Sequence, residues 1–232
     1  MQLPPQVLDD PLPAEPLERA AQWAAEAWSL RAQPNANAMV LATVSATGQP
    51  SARVVLCKEI VARPGFIAFY SNYDSHKGRE LAANRRAAIV MHWDHQHRQV
   101  RVEGLVIRAP AAESDAYYAS RPWQRRIGAW ASAQSAPVAS RAQLQRQVAE
   151  AAARFGVPVP GPDETAAGDP GIAIPRPPQW GGYHLWADAV ELWVEGESRI
   201  HDRVRWTRRL AAAEGETPPH VGTTWTATRL QP

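Results

Sequence analysis

Three residues near the end of the sequence have the side chains and the spacing that an anionic ligand requires. Arg199, His201 and Arg203 stand two positions apart, and because side chains alternate along a strand, all three are predicted to share one face. Ile200 and Val204 would then point into the core. A guanidinium offers phosphate or carboxylate a planar fork of donors, and an imidazole donates a hydrogen bond or moves a proton near neutral pH. The pattern favours an anion site, with a solvated polar face as the alternative.

Other cations are placed where a phosphate could bind. Lys77 stands at the predicted start of a helix capped by Asp74 or Ser75, and the amides of a helix N-terminus attract phosphate. Arg53 and Lys58 lie an odd number of residues apart, so on one regular strand they would face opposite ways. The spacing therefore predicts that Arg53 and Lys58 serve two separate sites.

The segments that must position these side chains are mainly short strands. Apolar and polar residues alternate in runs that Gly, Pro and Asn separate. Strands are predicted at residues 38–44, 51–59, 66–72, 87–93, 98–108 and 224–230, with two more strands and a turn within 180–206. Helices are predicted from residue 16, at 75–84, at 111–120 and at 138–155. These elements favour a mainly β fold with peripheral helices, in which antiparallel strands form a closed or nearly closed barrel.

One domain is long enough to account for most of the chain. Residues 1–15 are rich in Pro and Asp and are predicted to form a loose arm, and residues 16–232 are predicted to form a single domain. Within that domain, Pro and Gly at high density predict an irregular connector at 156–179.

Composition and charge argue against several classes of protein. The formal net charge is +2 and the Lys and Arg residues are scattered, which is not typical of a nucleic-acid binder. No segment approaches the ~18 apolar residues of a membrane span. The first residues lack a basic start followed by an apolar run, so we expect a cytoplasmic protein without a membrane anchor.

The cysteine and histidine residues do not point to a thiol or metal site. Cys57 is the only cysteine, which excludes an internal disulfide. Within a predicted strand it is expected to be a small buried residue rather than a nucleophile. His92, His95 and His97 are close in sequence, but no cysteine or acidic cluster at suitable spacing accompanies them, so we expect no metal.

A series of short motifs follows in order along the chain. They are RVVLCK at 53–58, FYSN at 69–72, SHK at 75–77, RQV at 98–100, SRP at 120–122, IGAW at 127–130, QS at 134–135, WGG at 180–182, RIHDR at 199–203 and RLQP at 229–232. Together they resemble the pyridoxamine 5′-phosphate oxidase family. The resemblance covers roughly residues 17–232 and is interrupted mainly by the Pro-rich connector.

The resemblance implies an FMN-binding split β-barrel that works as a homodimer, with each flavin at the subunit interface. The residues that would hold FMN are Arg53, Val54, Val55, Leu56, Cys57, Lys58, Tyr70, Ser71, Lys77, Gln99, Gln134, Ser135, Trp193 and Arg203. Lys58, Tyr117 and Arg121 would hold the substrate phosphate. Arg199 and His201 would lie over the substrate beside the flavin as the catalytic pair.

The chemistry of these residues agrees with the implied roles. A phosphate on the flavin and another on the substrate need two separate cationic sites. Arg53 with Lys77 would supply one of them. Lys58 would supply the other with Tyr117 and Arg121, which stand four apart and share a face if the predicted helix persists.

Residues outside the two phosphate sites suit the flavin ring. The amides of Gln99 and Gln134 both donate and accept hydrogen bonds, as the pyrimidine edge of a flavin requires. Arg203, close to that edge, would stabilise the negative charge that a reduced flavin acquires.

The implied reaction converts pyridoxine 5′-phosphate or pyridoxamine 5′-phosphate to pyridoxal 5′-phosphate. A hydride passes from the 4′ carbon of the substrate to flavin N5, and O2 then reoxidises the flavin and becomes H2O2. With the amine, the imine is hydrolysed and ammonia is released. For His201, positioning of the substrate is the first hypothesis and proton transfer the second.

Three features depart from the family pattern. His76 stands where the family usually has Arg, and Arg125 stands where a Ser usually helps to hold the substrate phosphate. The N-terminal arm lacks the Arg and Tyr that cover the substrate in some members. Two alternatives stay open: a related FMN-dependent oxidase of phenazine-type biosynthesis, and a non-catalytic FMN- or pyridoxal phosphate-binding protein.

Overall fold

The computed structural model describes residues 7–161, 171–210 and 224–232. The strands in these ranges are β1 (Ala38–Val44), β2 (Pro50–Leu56), β3 (Glu59–Val61), β4 (Phe66–Asn72), β5 (Arg86–Trp93), β6 (Arg98–Arg108), β7 (Trp180–Val194), β8 (Asp202–Thr207) and β9 (Thr226–Leu230). The helices are α1 (Pro16–Leu30), α2 (His76–Ala83), α3 (Ala111–Ala119), α4 (Trp123–Ala131) and α5 (Arg141–Arg154). Short 3₁₀ helices span Asp94–Gln96 and Glu197–Arg199.

All nine strands belong to one sheet. The strand order is β2-β1-β5-β6-β7-β4-β3, and β8 pairs with β7 and with β9. Pairing is antiparallel between β1 and β2, β1 and β5, β3 and β4, β5 and β6, β7 and β8, and β8 and β9. The predicted fold class, mainly antiparallel β with peripheral helices, is confirmed.

The chain divides into two compact units. The first contains the described residues up to Phe69, Glu80–Ile107 and the described residues from Tyr183 onward, and the second contains Tyr70–Arg79 and Arg108–Gly182. The sequence predicts a single domain over residues 16–232, and that organisation stays a prediction.

The core of the first unit is formed by alternate residues of its strands. Fully buried side chains include Leu41, Ile89, Met91, Val100, Val102, Leu192, Val204 and Trp206. Their spacing follows from the period of two along a strand, which sends every second side chain to the same face. Backbone approach is close at Gly104, where a Cβ atom would lie 1.9 Å from the carbonyl oxygen of Trp186, so this position requires glycine.

The predicted strand at 51–59 is interrupted at residues 57 and 58, and this prediction was wrong. β2 ends at Leu56, after which the Cys57 amide donates to Asn37 O at 2.8 Å and the Lys58 amide donates to Ala68 O at 2.9 Å. The backbone therefore passes from the β1 side of the sheet to β4 within two residues. Because Arg53 and Lys58 do not share one regular strand, the parity argument for their opposite directions does not apply.

The segment before α1 is anchored, although it contains no helix or strand. Leu8 is buried and its amide donates to Asp202 Oδ2 at 2.7 Å, while Trp206 Nε1 donates to Pro13 O at 2.9 Å. Asp202 also accepts a hydrogen bond from Arg229. The prediction of a loose arm is wrong for this stretch, because a buried apolar side chain and two hydrogen bonds fix it. Residues 1–6 of the predicted arm lie outside the described residues.

The second unit has a small apolar core of its own. It consists of Trp123, Ile127, Ala131, Ala151, Ala152, Val157 and Ile174, contributed by α4, α5 and the connector. The sequence prediction missed α4, although Trp123, Ile127 and Ala131 recur at the four-residue spacing of a helical stripe. α5 begins at Arg141 rather than at 138, because Ser140 caps it by accepting from the Gln143 amide at 3.1 Å.

The described parts of the predicted connector, 156–161 and 171–179, contain no helix or strand. They are held by packing nevertheless. Ile174 is buried in the core of the second unit, and Trp130 Nε1 donates to Pro175 O at 2.8 Å. Residues 162–170 of the predicted connector lie outside the described residues.

Candidate active site

The second unit gathers three of the predicted cofactor residues around one ammonium group. Lys77 Nζ lies 2.9 Å from Ser71 Oγ, 3.2 Å from Ser75 Oγ and 2.8 Å from Gln134 Oε1, and Lys77 is 8% exposed. Ser75 Oγ also accepts from the Gly78 amide at 3.2 Å, which confirms Ser75 as the cap of α2. A buried cation with hydroxyls and an amide at a helix N-terminus is suited to an oxyanion such as phosphate.

The turn beside this cluster carries Gln134 and Ser135. Ser135 has a φ of 70°, a left-handed backbone conformation that is uncommon for residues other than glycine. Asn72 lies at the end of β4, and its Nδ2 atom is 3.5 Å from the carbonyl oxygen of Ser132 in the same turn. Strained residues of this kind cluster at functional sites, so Ser135 is a reasonable cofactor residue on local geometry alone.

Aromatic rings in the second unit support two of the predicted substrate residues. The rings of Tyr70 and Tyr117 stack at 3.9 Å, and the Trp180 ring lies 5.6 Å from Tyr70 and 6.2 Å from Tyr117. The guanidinium carbon of Arg121 lies 4.7 Å from the centre of the Trp180 ring. Gly182 makes room for the stack, because a Cβ there would lie 2.8 Å from the Tyr70 ring. Tyr117 and Arg121 are thus brought together by Trp180, which the sequence analysis did not assign to the site.

In the first unit, Arg53 is held by a buried carboxylate. Its Nη2 atom lies 3.1 Å from Glu80 Oε2, its Nη1 atom donates to Leu41 O at 3.3 Å, and it also bonds Thr43 and Ser51. Glu80 is 5% exposed. These contacts fix the direction of the Arg53 guanidinium, and no sequence pattern indicated that Glu80 would provide them.

Several other predicted cofactor residues of the first unit differ in exposure. Val54 is 65% exposed, Val55 and Leu56 are partly buried, and Lys58 is exposed. Gln99 is partly buried on β6, opposite His92 of β5. The three apolar side chains offer no polar group, so any contact of Val54, Val55 or Leu56 with a polar ligand would come from the backbone.

The prediction that Arg199, His201 and Arg203 share one strand face was wrong. β8 begins only at Asp202, and Arg199 lies in a 3₁₀ turn where its φ is 66° and that of Ser198 is 54°. Ile200, expected in the core, is 72% exposed, whereas Val204 is buried as predicted. A tight turn replaces the first residues of the predicted strand, because the Ile200 amide folds back to donate to Glu197 O at 3.0 Å.

The turn nevertheless places His201 against another predicted cofactor residue. The imidazole centre lies 4.7 Å from the Trp193 ring, and Nδ1 accepts a hydrogen bond from the Gly196 amide at 3.2 Å. Because Nδ1 is the acceptor, the neutral ring carries its proton on Nε2. His201 therefore presents an N–H donor at its outer nitrogen, while Arg199 stands exposed two residues away.

Arg203 lies in a network of charges on one face of β6, β7 and β8. It bonds the buried Glu191, which also accepts from Arg101. Further along, Glu103 accepts from Arg205 at 2.8 Å, and this hydrogen bond lowers the pKa of the Glu103 carboxyl. The first unit therefore holds Arg203 through a carboxylate, as it holds Arg53 through Glu80.

Cys57, predicted from the family resemblance to contact the cofactor, has a thiol that is unsuited to chemistry. The side chain is 7% exposed, and burial raises the pKa of the thiol to about 12. Its backbone amide and carbonyl both bond Asn37, at 2.8 Å each. Only the thiolate is nucleophilic, so the expectation of an inert buried cysteine agrees with the structure.

We expect the thiol of Cys57 to resist alkylation in the folded protein. Iodoacetamide at pH 8 should modify Cys57 at least about a hundredfold more slowly in buffer than in denaturant, because a thiol with a raised pKa is almost entirely protonated at this pH. Mass spectrometry of timed samples gives both rates. Labelling of the native protein at the denatured rate would contradict the buried position.

The described residues contain neither a metal-binding cluster nor a helix that could span a membrane. Among residues 7–161, 171–210 and 224–232, no group of three His, Cys, Asp or Glu side chains is arranged to hold a metal ion. The His97 ring pairs with Glu195 rather than with the other histidines. Of the helices described, none combines the length and the apolar character needed to cross a membrane.

Comparison with known proteins gives consistent matches along nearly the whole chain. The sequence model described as pyridoxamine 5′-phosphate oxidase matches residues 29–155, and the model described as pyridoxine 5′-phosphate oxidase C-terminal dimerisation region matches residues 180–232. The pyridoxine/pyridoxamine 5′-phosphate oxidase of Ralstonia pickettii is 46% identical over 220 residues, covering 94% of this chain and 90% of that protein. The enzyme of the same name from Paracoccus denitrificans is 45% identical over 226 residues, covering 94% and 95%.

Two solved structures show the same fold. PhzG from Burkholderia lata 383, in complex with tetrahydrophenazine-1-carboxylic acid, has a TM-score of 0.77 at 28% identity, covering 95% of this chain and 94% of that chain. A pyridoxamine 5′-phosphate oxidase-related, FMN-binding protein from Nostoc punctiforme has a TM-score of 0.63 at 16% identity, covering 94% and 97%. The second likeness concerns the fold alone.

Proposed function

Because this chain belongs to the pyridoxamine 5′-phosphate oxidase family, we propose that it oxidises pyridoxine 5′-phosphate or pyridoxamine 5′-phosphate to pyridoxal 5′-phosphate. The proposed cofactor is FMN, the electron acceptor is O2 and the second product is H2O2. The observation that carries the proposal is the cluster around Lys77, where an oxyanion would meet a buried ammonium, two hydroxyls and a helix N-terminus.

The cations and hydrogen-bonding groups described in each unit are of the kinds that FMN requires. Lys77, Ser71, Gln134 and Ser135 supply an ammonium, hydroxyls and an amide for the phosphate and its surroundings, and Arg53 supplies a second cation with a fixed direction. We propose that FMN is held by the residues predicted from the sequence: Arg53, Val54, Val55, Leu56, Cys57, Lys58, Tyr70, Ser71, Lys77, Gln99, Gln134, Ser135, Trp193 and Arg203. Bound FMN would accept two electrons from the substrate and pass them to O2.

The residues proposed to bind the substrate are those predicted from the sequence. Tyr117 and Arg121, linked through Trp180, would bind its phosphate together with Lys58. Arg199 and His201 would orient the pyridine ring and its polar substituents, His201 as a donor through Nε2. Two consecutive left-handed residues, Ser198 and Arg199, fit a functional role for this turn, since such backbone strain is retained where positioning demands it.

The proposed assembly is a homodimer with FMN at the subunit interface, and the proposed location is the cytoplasm. Support for the dimer is the match of residues 180–232 to a region described as a dimerisation region. This region contains Trp193, His201 and Arg203. The proposal thus places cofactor residues in the same segment as the dimer contacts.

A second candidate function is oxidation of a tricyclic substrate, as in phenazine-type biosynthesis. The observation that favours it is the likeness to PhzG, whose structure contains tetrahydrophenazine-1-carboxylic acid. Arg125, which stands where the family usually has a Ser that helps to hold the substrate phosphate, is exposed on α4. A non-catalytic FMN carrier is a third reading, and catalytic turnover in air would exclude it.

The proposed function is tested with purified protein and its visible spectrum. We expect a flavin spectrum, and on addition of pyridoxine 5′-phosphate in air we expect an aldehyde product with one H2O2 formed per turnover. Pyridoxamine 5′-phosphate should give the same aldehyde with release of ammonia. A flavin-containing protein that is inert toward both vitamers but oxidises a phenazine precursor would support the second candidate.

The role of His201 can be separated into positioning and proton transfer. We expect His201→Asn to lower kcat by less than about tenfold with an unchanged pH profile, because Asn can still accept from the Gly196 amide, whereas loss of a general acid or base costs about 10²–10⁴-fold. His201→Ala provides the comparison without this contact. A loss above about a hundredfold in His201→Asn, with the loss of one limb of the pH profile, would assign proton transfer to His201.

A further inference from the structure

A buried carboxylate and one backbone carbonyl hold the guanidinium of Arg203. Glu191 Oε1 accepts from Arg203 Nη2 at 2.8 Å and from Arg203 Nε at 3.2 Å. The other oxygen, Glu191 Oε2, accepts from Arg101 Nη1 at 3.0 Å. Glu191 is 3% exposed, so its charge is out of water and depends on these two guanidiniums for compensation.

The second contact comes from the RLQP motif at residues 229–232, for which the proposed function has no role. Arg203 stands opposite Leu230 in the β8–β9 register, and its Nη1 atom donates to the carbonyl oxygen of Gln231 at 3.2 Å. Arg229 bonds Asp202, the first residue of β8. The motif therefore fixes the strand that carries Arg203 and also contacts the guanidinium directly.

We propose that Glu191 and the Gln231 carbonyl are positioning groups for Arg203, and that Glu191 tunes the charge that Arg203 presents to the cofactor. The proposal rests on the proposed function, in which Arg203 faces FMN. With its Nε and Nη2 edge on Glu191 and Nη1 on Gln231, the planar guanidinium has one orientation. The proposal assigns its further N–H groups, on Nη1 and Nη2, to the flavin.

The charge of Glu191 opposes the electrostatic effect of Arg203. A reduced flavin carries negative charge, which a nearby cation stabilises, and a carboxylate 2.8 Å from that cation cancels part of its field. Replacing the carboxylate by a neutral amide should leave the cation stronger and the guanidinium less firmly held. The two effects differ in direction: the reduction potential of bound FMN should rise while the affinity for oxidised FMN falls.

The first test compares Glu191→Gln with Glu103→Gln. Both substitutions remove one carboxylate of the same network, but Glu103 bonds Arg101 and Arg205 and has no bond to Arg203 among those of the described chain. We expect Glu191→Gln to bind FMN about tenfold more weakly, measured by fluorescence titration of the apoprotein, and to shift the potential of bound FMN to a more positive value. Glu103→Gln should keep the wild-type FMN affinity.

The second test separates the Gln231 carbonyl from its side chain. Deletion of residues 231–232 should weaken FMN binding about tenfold, whereas Gln231→Ala, which keeps the backbone carbonyl, should not. A wild-type protein that binds no FMN would overturn the proposed function. A wild-type protein that binds FMN, with Glu191→Gln and the deletion binding equally tightly at an unchanged potential, would overturn this inference alone. If circular dichroism shows that Glu191→Gln is unfolded, the FMN affinities of the deletion and of Gln231→Ala test the inference in its place.

Discussion

Lys77→Met is expected to lose about a hundredfold in FMN affinity while the protein remains folded. Met has nearly the length of Lys and tolerates burial, but it offers no charge and no donor to a phosphate. Lys77 contacts Ser71, Ser75 and Gln134 from a position that is 8% exposed, so no other ammonium of this kind stands in the cluster as described. A hundredfold loss corresponds to about 2.7 kcal/mol, within the range for one hydrogen bond to a charged group.

The matched control for Lys77 is Arg79, which lies two residues further along α2. Arg79→Met removes the same charge from an exposed side chain that bonds Asp74 O, and FMN affinity should change by less than about twofold. Lys77→Arg should recover part of the binding because it restores the cation. Flavin fluorescence titration of apoprotein measures all three. Lys77→Met with wild-type FMN affinity would remove the Lys77 cluster from the cofactor site.

Gly196→Ala is expected to lower kcat/KM by about a hundredfold with FMN still bound. The backbone of Gly196 has φ −112° and ψ 156°, which any residue can adopt, but a Cβ there would lie 1.7 Å from Ile200 O and 3.2 Å from the His201 amide nitrogen. The turn that carries Arg199 and His201 must then move. A displacement of about 1 Å in groups that orient a substrate costs about 10²-fold.

The control for Gly196 is the same substitution in open space. Gly161 has no atom within 4 Å of an added Cβ, so Gly161→Ala should keep wild-type kinetics. Steady-state rates of aldehyde formation give kcat/KM for each variant, and flavin absorbance shows whether FMN is still bound. Gly196→Ala with unchanged kcat/KM would show that the position of the 197–201 turn does not matter for the reaction.

Sequence patterns predicted the regular strands well because alternation and local turn signals are short-range properties. β1, β4 and β6 have the predicted bounds. The predictions failed where tertiary contacts decide the backbone. The chain leaves β2 at Cys57 because the Cys57 amide donates a hydrogen bond to Asn37 O. The turn before β8 forms although apolar and polar residues alternate there as they would in a strand.

The sequence indicated the cations that are proposed for the site, but it did not indicate the groups that hold these cations in place. Arg53, Lys77 and Arg203 were identified through motifs that resemble a family, since phosphate and flavin chemistry calls for such side chains. Glu80 and Glu191 were not identified, because a buried acid is recognised only by its partners in space. Trp180 was not identified either, because its contact with Arg121 is known only from the fold.

Asp202 joins distant parts of the sequence, and this has a consequence for kinetics. Its carboxylate accepts from the Leu8 amide across a sequence separation of 194 residues and from Arg229 on the other side. Closing so long a loop costs entropy that local contacts do not, so we expect these hydrogen bonds to form after the folding transition state. Interactions that are absent from the transition state act on the unfolding rate alone. The contacts of Asp202 would therefore determine how long the folded chain persists rather than how quickly it forms.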